Sequence, residues 1–71
     1  MKLHYYPETD SLYIELKAEP GTKTKNVAET INLDLDDNDR LVGIDIDHAS
    51  EHLDLDTLET IALPFRSSKA A

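Results

Sequence analysis

The chain has 71 residues and a net charge of −8, with 15 acidic residues against seven lysines and arginines. A chain of this length forms one domain, which we expect to span residues 1–66, with residues 67–71 as a flexible tail. The lack of cysteine excludes disulfides, zinc–thiolate sites and thiol catalysis. No apolar run is long enough to span a membrane, and the N-terminus has no signal-peptide core, so we expect a cytoplasmic protein.

The negative charge is concentrated in the middle of the chain. Residues 31–60 hold ten acidic residues and one arginine. Binding of nucleic acid requires clustered lysines and arginines, so we expect no direct contact with DNA or RNA. A basic protein partner or a divalent cation fits this charge, and the alternative is that the charge only keeps a small domain soluble.

Alternation of apolar and polar residues predicts four strands, in chain order Leu3–Tyr6, Leu12–Lys17, Ile31–Asp36 and Val42–Asp47. In the last three, the apolar residues share one face and the acidic residues share the other, which is typical of antiparallel strands with one face in water. We therefore predict an α+β fold that is mostly β, a small antiparallel sheet of about four strands arranged as a meander of hairpins.

The connections follow from turn residues and from segments without alternation. Pro7–Asp10 predicts a turn, and Ala18–Lys23, which contains Pro20-Gly21, predicts a loop. Residues 23–29 are predicted to be extended and to lead into the third strand, with a bulge.

Charge also predicts the register of the hairpin formed by the third and fourth strands. If paired residue numbers sum to 79, Asp34 lies opposite Asp45, which repulsion disfavours. A sum of 77 instead pairs Asp34 with Gly43 and Leu35 with Val42. We predict the second register, with Asn38-Asp39 at the tip.

The alternation ends at Asp47, which we predict to cap one short helix over His48–Leu53. Further on, Asp56–Glu59 resembles a capping box, whereas Thr60–Leu63 before Pro64 is also typical of an extra edge strand. The sequence leaves helix and strand open for residues 56–63.

Two patterns resemble metal sites. Asp34, Asp36 and Asn38 match the first three ligand positions of a calcium loop and Asp45 matches the last, but Asp39 replaces the glycine that the sharp turn requires. His48 and His52 flank Glu51 as in inverted zinc peptidases, although the predicted helix is too short for that chemistry. We predict an acidic hairpin and solvated imidazoles, with no catalytic residue, no cofactor and no specific metal, and keep Asp34, Asp36, Asn38, Asp45, His48 and His52 as candidate ligands.

Three blocks resemble a known family. They are Tyr5–Ile14, Asn32–Asp36, and Arg40–Ile46 followed by Ala49-Ser50, and together they resemble the small bacterial proteins of domain-of-unknown-function family 2283. The resemblance implies a small antiparallel sheet with a short helix. It also implies an antitoxin-like role, and it implies no site residue.

From charge and resemblance together, we expect a protein-interaction module whose acidic sheet binds a basic protein. Two alternatives remain open at this point. One is a small metal-dependent enzyme, and the other is a self-associating structural domain without catalysis, because a small open sheet leaves an edge or an apolar face exposed.

Overall fold

The computed structural model describes residues 1–64, which form one open five-stranded antiparallel sheet and one short helix. The strands are β1 (Lys2–Tyr6), β2 (Ser11–Glu15), β3 (Lys23–Ala28), β4 (Ile31–Leu35) and β5 (Leu41–Ile46), and the helix is α1 (Ala49–His52). The predicted fold class is confirmed. The predicted residues 67–71 tail lies outside the described residues.

The sheet order is β1-β2-β5-β4-β3, so β5, the last strand within residues 1–64, lies at the centre. The arrangement is therefore a hairpin of β1 and β2 joined, through β5, to a meander of β3, β4 and β5. The strand that adds to the four predicted ones is β3, which comes from the segment predicted to be extended. Its predicted bulge is present, because the pairing with β4 shifts between Asn26 and Ala28.

The predicted register of β4 and β5 is confirmed over four pairs, including Asp34 opposite Gly43. The fifth predicted pair is wrong, because Leu35 lies opposite Leu41 and not opposite Val42. The turn is longer than predicted: the Asp36 backbone N–H donates to the carbonyl of Arg40 at 2.9 Å, and Asp39 has a left-handed φ of 60°. A bulge at Val42 accommodates the extra residue.

The predicted helix is confirmed over a shorter range, but its predicted cap is wrong. His48, not Asp47, precedes the helix, and it has a left-handed φ of 53° and makes no side-chain capping bond. Asp47 instead accepts a hydrogen bond from the Ser11 hydroxyl at 3.3 Å. The carboxylate of Asp10 takes the place of this cap, because it accepts the backbone N–H of Ser50, which lies 40 residues later in the chain.

Residues 56–63 form neither of the two alternatives. The segment after α1 is irregular, with one turn closed by the Thr57 N–H and the Asp54 carbonyl, and Ala62 has a left-handed φ of 61°. Residues 53–58 lie on the apolar side of the sheet beside Leu12 and Ile46, and α1 lies on the same side beside Ile31 and Ile46. None of the helices in residues 1–64 is long and apolar enough to cross a membrane.

The core is small and is centred on β5. Within the described residues, the buried hydrophobic side chains are Val42 at 1% exposure, Ile46 at 9% and Ala49. The two faces of the sheet are therefore distinct surfaces. We call them the apolar face, which carries Leu12, Ile14, Leu33, Ile44 and Ile46, and the polar face, which carries Tyr13, Asn32, Asp34 and Asp45.

Candidate functional site

The polar face is formed by the residues that alternate with the apolar ones. Pairing places Tyr13 opposite Asp45, Asp45 opposite Asn32, and Asp34 opposite Thr24. Side chains of neighbouring strands therefore stand in one layer above the sheet. A shallow depression of about 380 Å³ lies among them, lined by Tyr6, Tyr13, Thr24, Asn32, Asp34 and Asp45.

The Tyr13 side chain crosses the central strand at Gly43 to reach Asp34. Its hydroxyl donates to the Asp34 Oδ2 atom at 2.8 Å, and the Thr24 hydroxyl donates to the Oδ1 atom at 3.3 Å. A Cβ at Gly43 would overlap the Tyr13 hydroxyl, so the crossing requires glycine at this position. The hydrogen bond to Asp34, and then burial, raise the pKa of Tyr13 to about 12. Tyr13 is thus protonated at neutral pH and acts as a fixed donor, not as a base.

Asp45 lies in the least favourable electrostatic position of this face. Burial raises the pKa of the Asp45 carboxyl above its usual value, and the carboxylates of Asp47 and Asp34 raise it further. The ion pairs of residues 1–64 involve Lys17, Lys23 and His48, and none of them includes Asp34, Asp45 or Asp47. The polar face therefore carries negative charge that the described part of the chain does not neutralise.

Asp45→Asn should stabilise the protein at neutral pH. The raised pKa means that the folded chain binds a proton at Asp45 more tightly than the unfolded chain does, so the ionised form costs stability above that pKa. We expect a higher urea midpoint for Asp45→Asn at pH 7, and a difference that shrinks as the pH falls through the folded pKa of Asp45. Asp56→Asn, which removes the same charge from an exposed site, is the control. A lower midpoint for Asp45→Asn would contradict this account.

A second cluster joins the first turn of the chain to α1. The Asp10 carboxylate accepts the Tyr5 hydroxyl at 2.7 Å, the Ser50 hydroxyl at 2.7 Å and the Ser50 backbone N–H at 3.1 Å. The hydrogen bond from the Ser50 hydroxyl, followed by that from Tyr5, holds the pKa of Asp10 below its usual value. Beside it, the Nδ1 atom of His48 lies 3.2 Å from the Oε2 atom of Glu51.

The sequence-predicted metal candidates fall into separate places. Asp34 and Asp45 belong to the polar face, whereas Asp36 lies in the hairpin turn, where its Oδ1 atom accepts the backbone N–H groups of Asn38 at 2.8 Å and Arg40 at 2.9 Å. These two bonds lower the pKa of the Asp36 carboxyl, the one from Arg40 more strongly. Asp36 thus organises the turn.

The structure places His48 and Glu51 of the histidine motif close together, but not His52. Within residues 1–64, the ligand atoms close enough to share an ion belong to Asp10, His48 and Glu51, and His52 is not among them. Both Asp10 carboxylate oxygens already accept hydrogen bonds, one from Tyr5 of β1 and the other from Ser50 of α1. The cluster therefore connects α1 to the sheet.

Two structural roles are not predicted by the sequence. The sequence predicts Asp10 only as a turn residue, and its role as a distant cap has no local signal because Ser50 is 40 residues away. The contact of Tyr13 with Asp34 was also missed. The feature of the sequence that could predict this contact is Gly43 opposite Asp34, because a glycine there leaves room for a side chain that crosses from the neighbouring strand β2.

Together these features define a small single-layer antiparallel β protein with an acidic polar face, an apolar opposite face and a helix fastened by Asp10. The family model of the proteins of unknown function DUF2283 matches residues 2–50, and the chain belongs to this family. The sequence resemblance is thereby confirmed. No curated protein and no solved structure is significantly similar to the chain.

Proposed function

We propose that the protein is an interaction module that binds a basic protein segment on its polar face. The observation that carries the proposal is the group of Asp34, Asp45 and Asp47, whose charges no cation of residues 1–64 neutralises. Retaining an ionised Asp45 costs stability, and groups that cost stability are typical of binding sites. A lysine or arginine of a partner would offset that cost.

The aromatic side chains of the same face suit a cationic partner. Tyr6 is 48% exposed, and its ring stacks on that of His4 with centroids 6.4 Å apart. An exposed tyrosine ring offers a flat surface to a guanidinium or ammonium group, and tyrosine is enriched among residues that dominate binding energy. The depression between Tyr6 and Asp45 is open and shallow, which suits a protein segment better than a small molecule.

In biological terms, the proposed role is that of an antitoxin, in which the polar face binds and neutralises a small basic toxin in the cytoplasm. Excess negative charge on this face would speed association with a basic protein and repel nucleic acid. A metal-dependent enzyme is less well supported, because the carboxylate oxygens of Asp10 already accept hydrogen bonds from Tyr5 and Ser50.

The test is an affinity capture from native lysate at low salt, with three tagged forms of the full chain. We expect the wild-type chain to capture a basic protein in near-stoichiometric amount, and Asp34→Asn/Asp45→Asn to lose it by about tenfold or more, since both charges are at the proposed interface. Asp54→Asn/Asp56→Asn removes the same charge on the other side of the sheet and should retain the partner.

Added salt should release the captured protein, because screening weakens attraction between exposed charges. Equal capture by the two double variants would show that net charge alone acts, and would contradict a site on the polar face. A captured protein that is acidic or neutral would overturn the proposal.

A further inference from the structure

The two edges of the sheet differ in how well they are protected against pairing with another strand. The β3 edge carries Lys23, Lys25 and a bulge, which are devices that block such pairing. The β1 edge has no bulge, because its five residues pair with β2 in an unbroken register, and its lysine, Lys2, lies at the first position. β1 is therefore the edge at which another strand can add to the sheet.

The backbone groups that β1 directs outward follow from the hydrogen bonds of the strands beside it. The N–H of Leu16, directly after β2, donates to the Val42 carbonyl of β5 at 2.8 Å. Because successive residues of a strand direct these groups to opposite sides, the even-numbered residues of β2 bond to β5 and the odd-numbered ones bond to β1. Their partners are the even-numbered residues of β1. Leu3 and Tyr5 thus direct their N–H and C=O groups away from the sheet.

These outward groups have no partner in the part of the chain that the structure describes. Within residues 1–64, none of the backbone hydrogen bonds outside the paired strands involves Leu3 or Tyr5. Their side chains lie on the apolar face and are 47% and 45% exposed. Free donors and acceptors beside half-exposed apolar side chains form a template for a further strand.

We propose that the β1 strands of two copies of this chain pair antiparallel at this edge and join the two five-stranded sheets into one continuous sheet. Directly opposite residues of such a pair lie on the same face, so the two apolar faces lie on one side and the two polar faces on the other. Because the contact is at the edge, α1 and residues 53–58 keep their places on the apolar face. The proposal does not depend on the proposed function.

The outward groups select the register of this pair. If paired residue numbers sum to 8, the N–H and C=O groups of Leu3 bond to those of Tyr5 in the other copy, and every outward group of both residues is used. A sum of 10 requires an N–H from Pro7, which proline lacks, and a sum of 6 leaves Tyr6 without an opposite residue. The sum of 8 pairs all five residues of β1 and places the twofold axis at His4.

The side chains of β1 fit a second copy of the same strand. On the apolar face Leu3 meets Tyr5 of the other copy, and aromatic and aliphatic side chains at opposite positions stabilise antiparallel pairs. On the polar face the Lys2 ammonium meets the ring of Tyr6, an arrangement that attracts a cation. The chain has a net charge of −8, but β1 contains no acidic residue, so two copies approach here without placing carboxylates of this strand opposite each other.

The first test is the mass of the wild-type chain by sedimentation equilibrium. A pair of strands buries less than a standard interface, so we expect the mass to rise with concentration from one chain towards two, with a dissociation constant of about 100 μM. Added salt should favour the dimer, since it screens repulsion between two chains of charge −8. The mass of one chain at every concentration would overturn the proposal, and so would a mass that rises beyond two chains.

Two variants of Leu3 test whether backbone hydrogen bonds hold the pair together. Leu3→Pro removes the outward N–H and no bond to β2, and such edge positions tolerate proline. Leu3→Ala shortens the same side chain but keeps the N–H. We expect Leu3→Pro to weaken the dimer about tenfold more than Leu3→Ala does, since it removes one hydrogen bond on each side of the axis. Equal weakening by both variants would contradict pairing through the strand backbone.

Charges at His4 test the position of the axis. In the proposed register His4 lies opposite His4 of the other copy, so His4→Lys and His4→Glu each place like charges at the axis and should each weaken the dimer about tenfold. A mixture of the two variants should recover it. His4→Lys lowers the net negative charge and His4→Glu raises it, so opposite effects on the dimer would show that net charge alone acts. That result, or a mixture that does not recover the dimer, would overturn the register.

A measurement on the wild-type chain does not depend on the folding of any variant. In a mixture of labelled and unlabelled chains, a nuclear Overhauser contact between copies should connect the α protons of the two His4 residues, because they form a non-hydrogen-bonded pair. Amide exchange of Leu3 and Tyr5 should slow as the concentration rises, while that of Thr24 on the β3 edge stays constant. Exchange of Leu3 and Tyr5 that is slow at every concentration would show that the same chain covers this edge, and would overturn the second copy.

Discussion

Gly43→Ala is expected to destabilise the protein by about 1–3 kcal/mol, the usual cost of overfilling a packed position. The new Cβ would overlap the Tyr13 hydroxyl, lie 2.5 Å from the Tyr13 Cζ atom and 3.1 Å from the Ile14 carbonyl oxygen. Tyr13 must then leave Asp34, and the hydrogen bond between them is lost. Urea unfolding at neutral pH, with a constant slope across the variants, measures the change.

A double-mutant cycle tests whether Tyr13 is the cause. In a Tyr13→Ala background the ring is absent and only the close approach to the Ile14 carbonyl remains, so Gly43→Ala should cost less, and the coupling between the two sites should be at least about 1 kcal/mol. Tyr13→Phe is the matched control, because it removes the hydroxyl and keeps the ring that meets the new Cβ. An equal cost of Gly43→Ala in the wild-type and Tyr13→Ala backgrounds would show that the glycine serves the backbone alone.

The parts of the fold that the sequence predicts are those determined by neighbours in the chain. Alternation in β2, β4 and β5 predicts which residues face the core, since one face of each strand is apolar. The register of β4 and β5 follows over four of its five pairs, because the sum of 77 keeps Asp34 from lying opposite Asp45, whereas the sum of 79 does not. Repulsion between charges and the period of the strand predict these four pairs but not the bulge at Val42.

The parts that the sequence does not predict depend on contacts between distant segments. The segment of β3 is predicted to be extended and bulged, but its position as an edge strand is not predicted, because it has no apolar alternation and pairs through the unpaired backbone groups that β4 offers. The capping box at Asp56 does not form a helix, and its segment lies instead along the apolar face, where tertiary contacts override local preference. The crossing of Tyr13 to Asp34 requires β2 to lie beside β5, which the chain order does not reveal.

Asp10→Ala should detach α1 from the sheet. The Asp10 carboxylate holds Ser50 through both its hydroxyl and its backbone N–H, and the Asp10 carbonyl accepts the N–H of Ala49 at 2.8 Å. Both Asp10 and His48 have left-handed backbone conformations, which persist only where the surroundings hold them. We expect amide exchange of Ser50 and Leu53 to quicken by about tenfold or more, as loss of bonds to a charged acceptor implies.

The pH dependence of amide exchange distinguishes the contribution of the Asp10 carboxylate from that of the backbone of the turn. Because the folded pKa of Asp10 is lowered, its stabilisation is complete above the usual carboxyl pKa of about 3.9 and is lost as the pH falls through the folded value. The exchange rates of wild type and Asp10→Ala should therefore differ most at neutral pH and converge in acid. Asp54→Ala, an exposed acid after α1, should match wild type throughout. A difference that persists in acid would assign the fastening to the left-handed backbone of Asp10, which alanine adopts less readily, and not to the carboxylate.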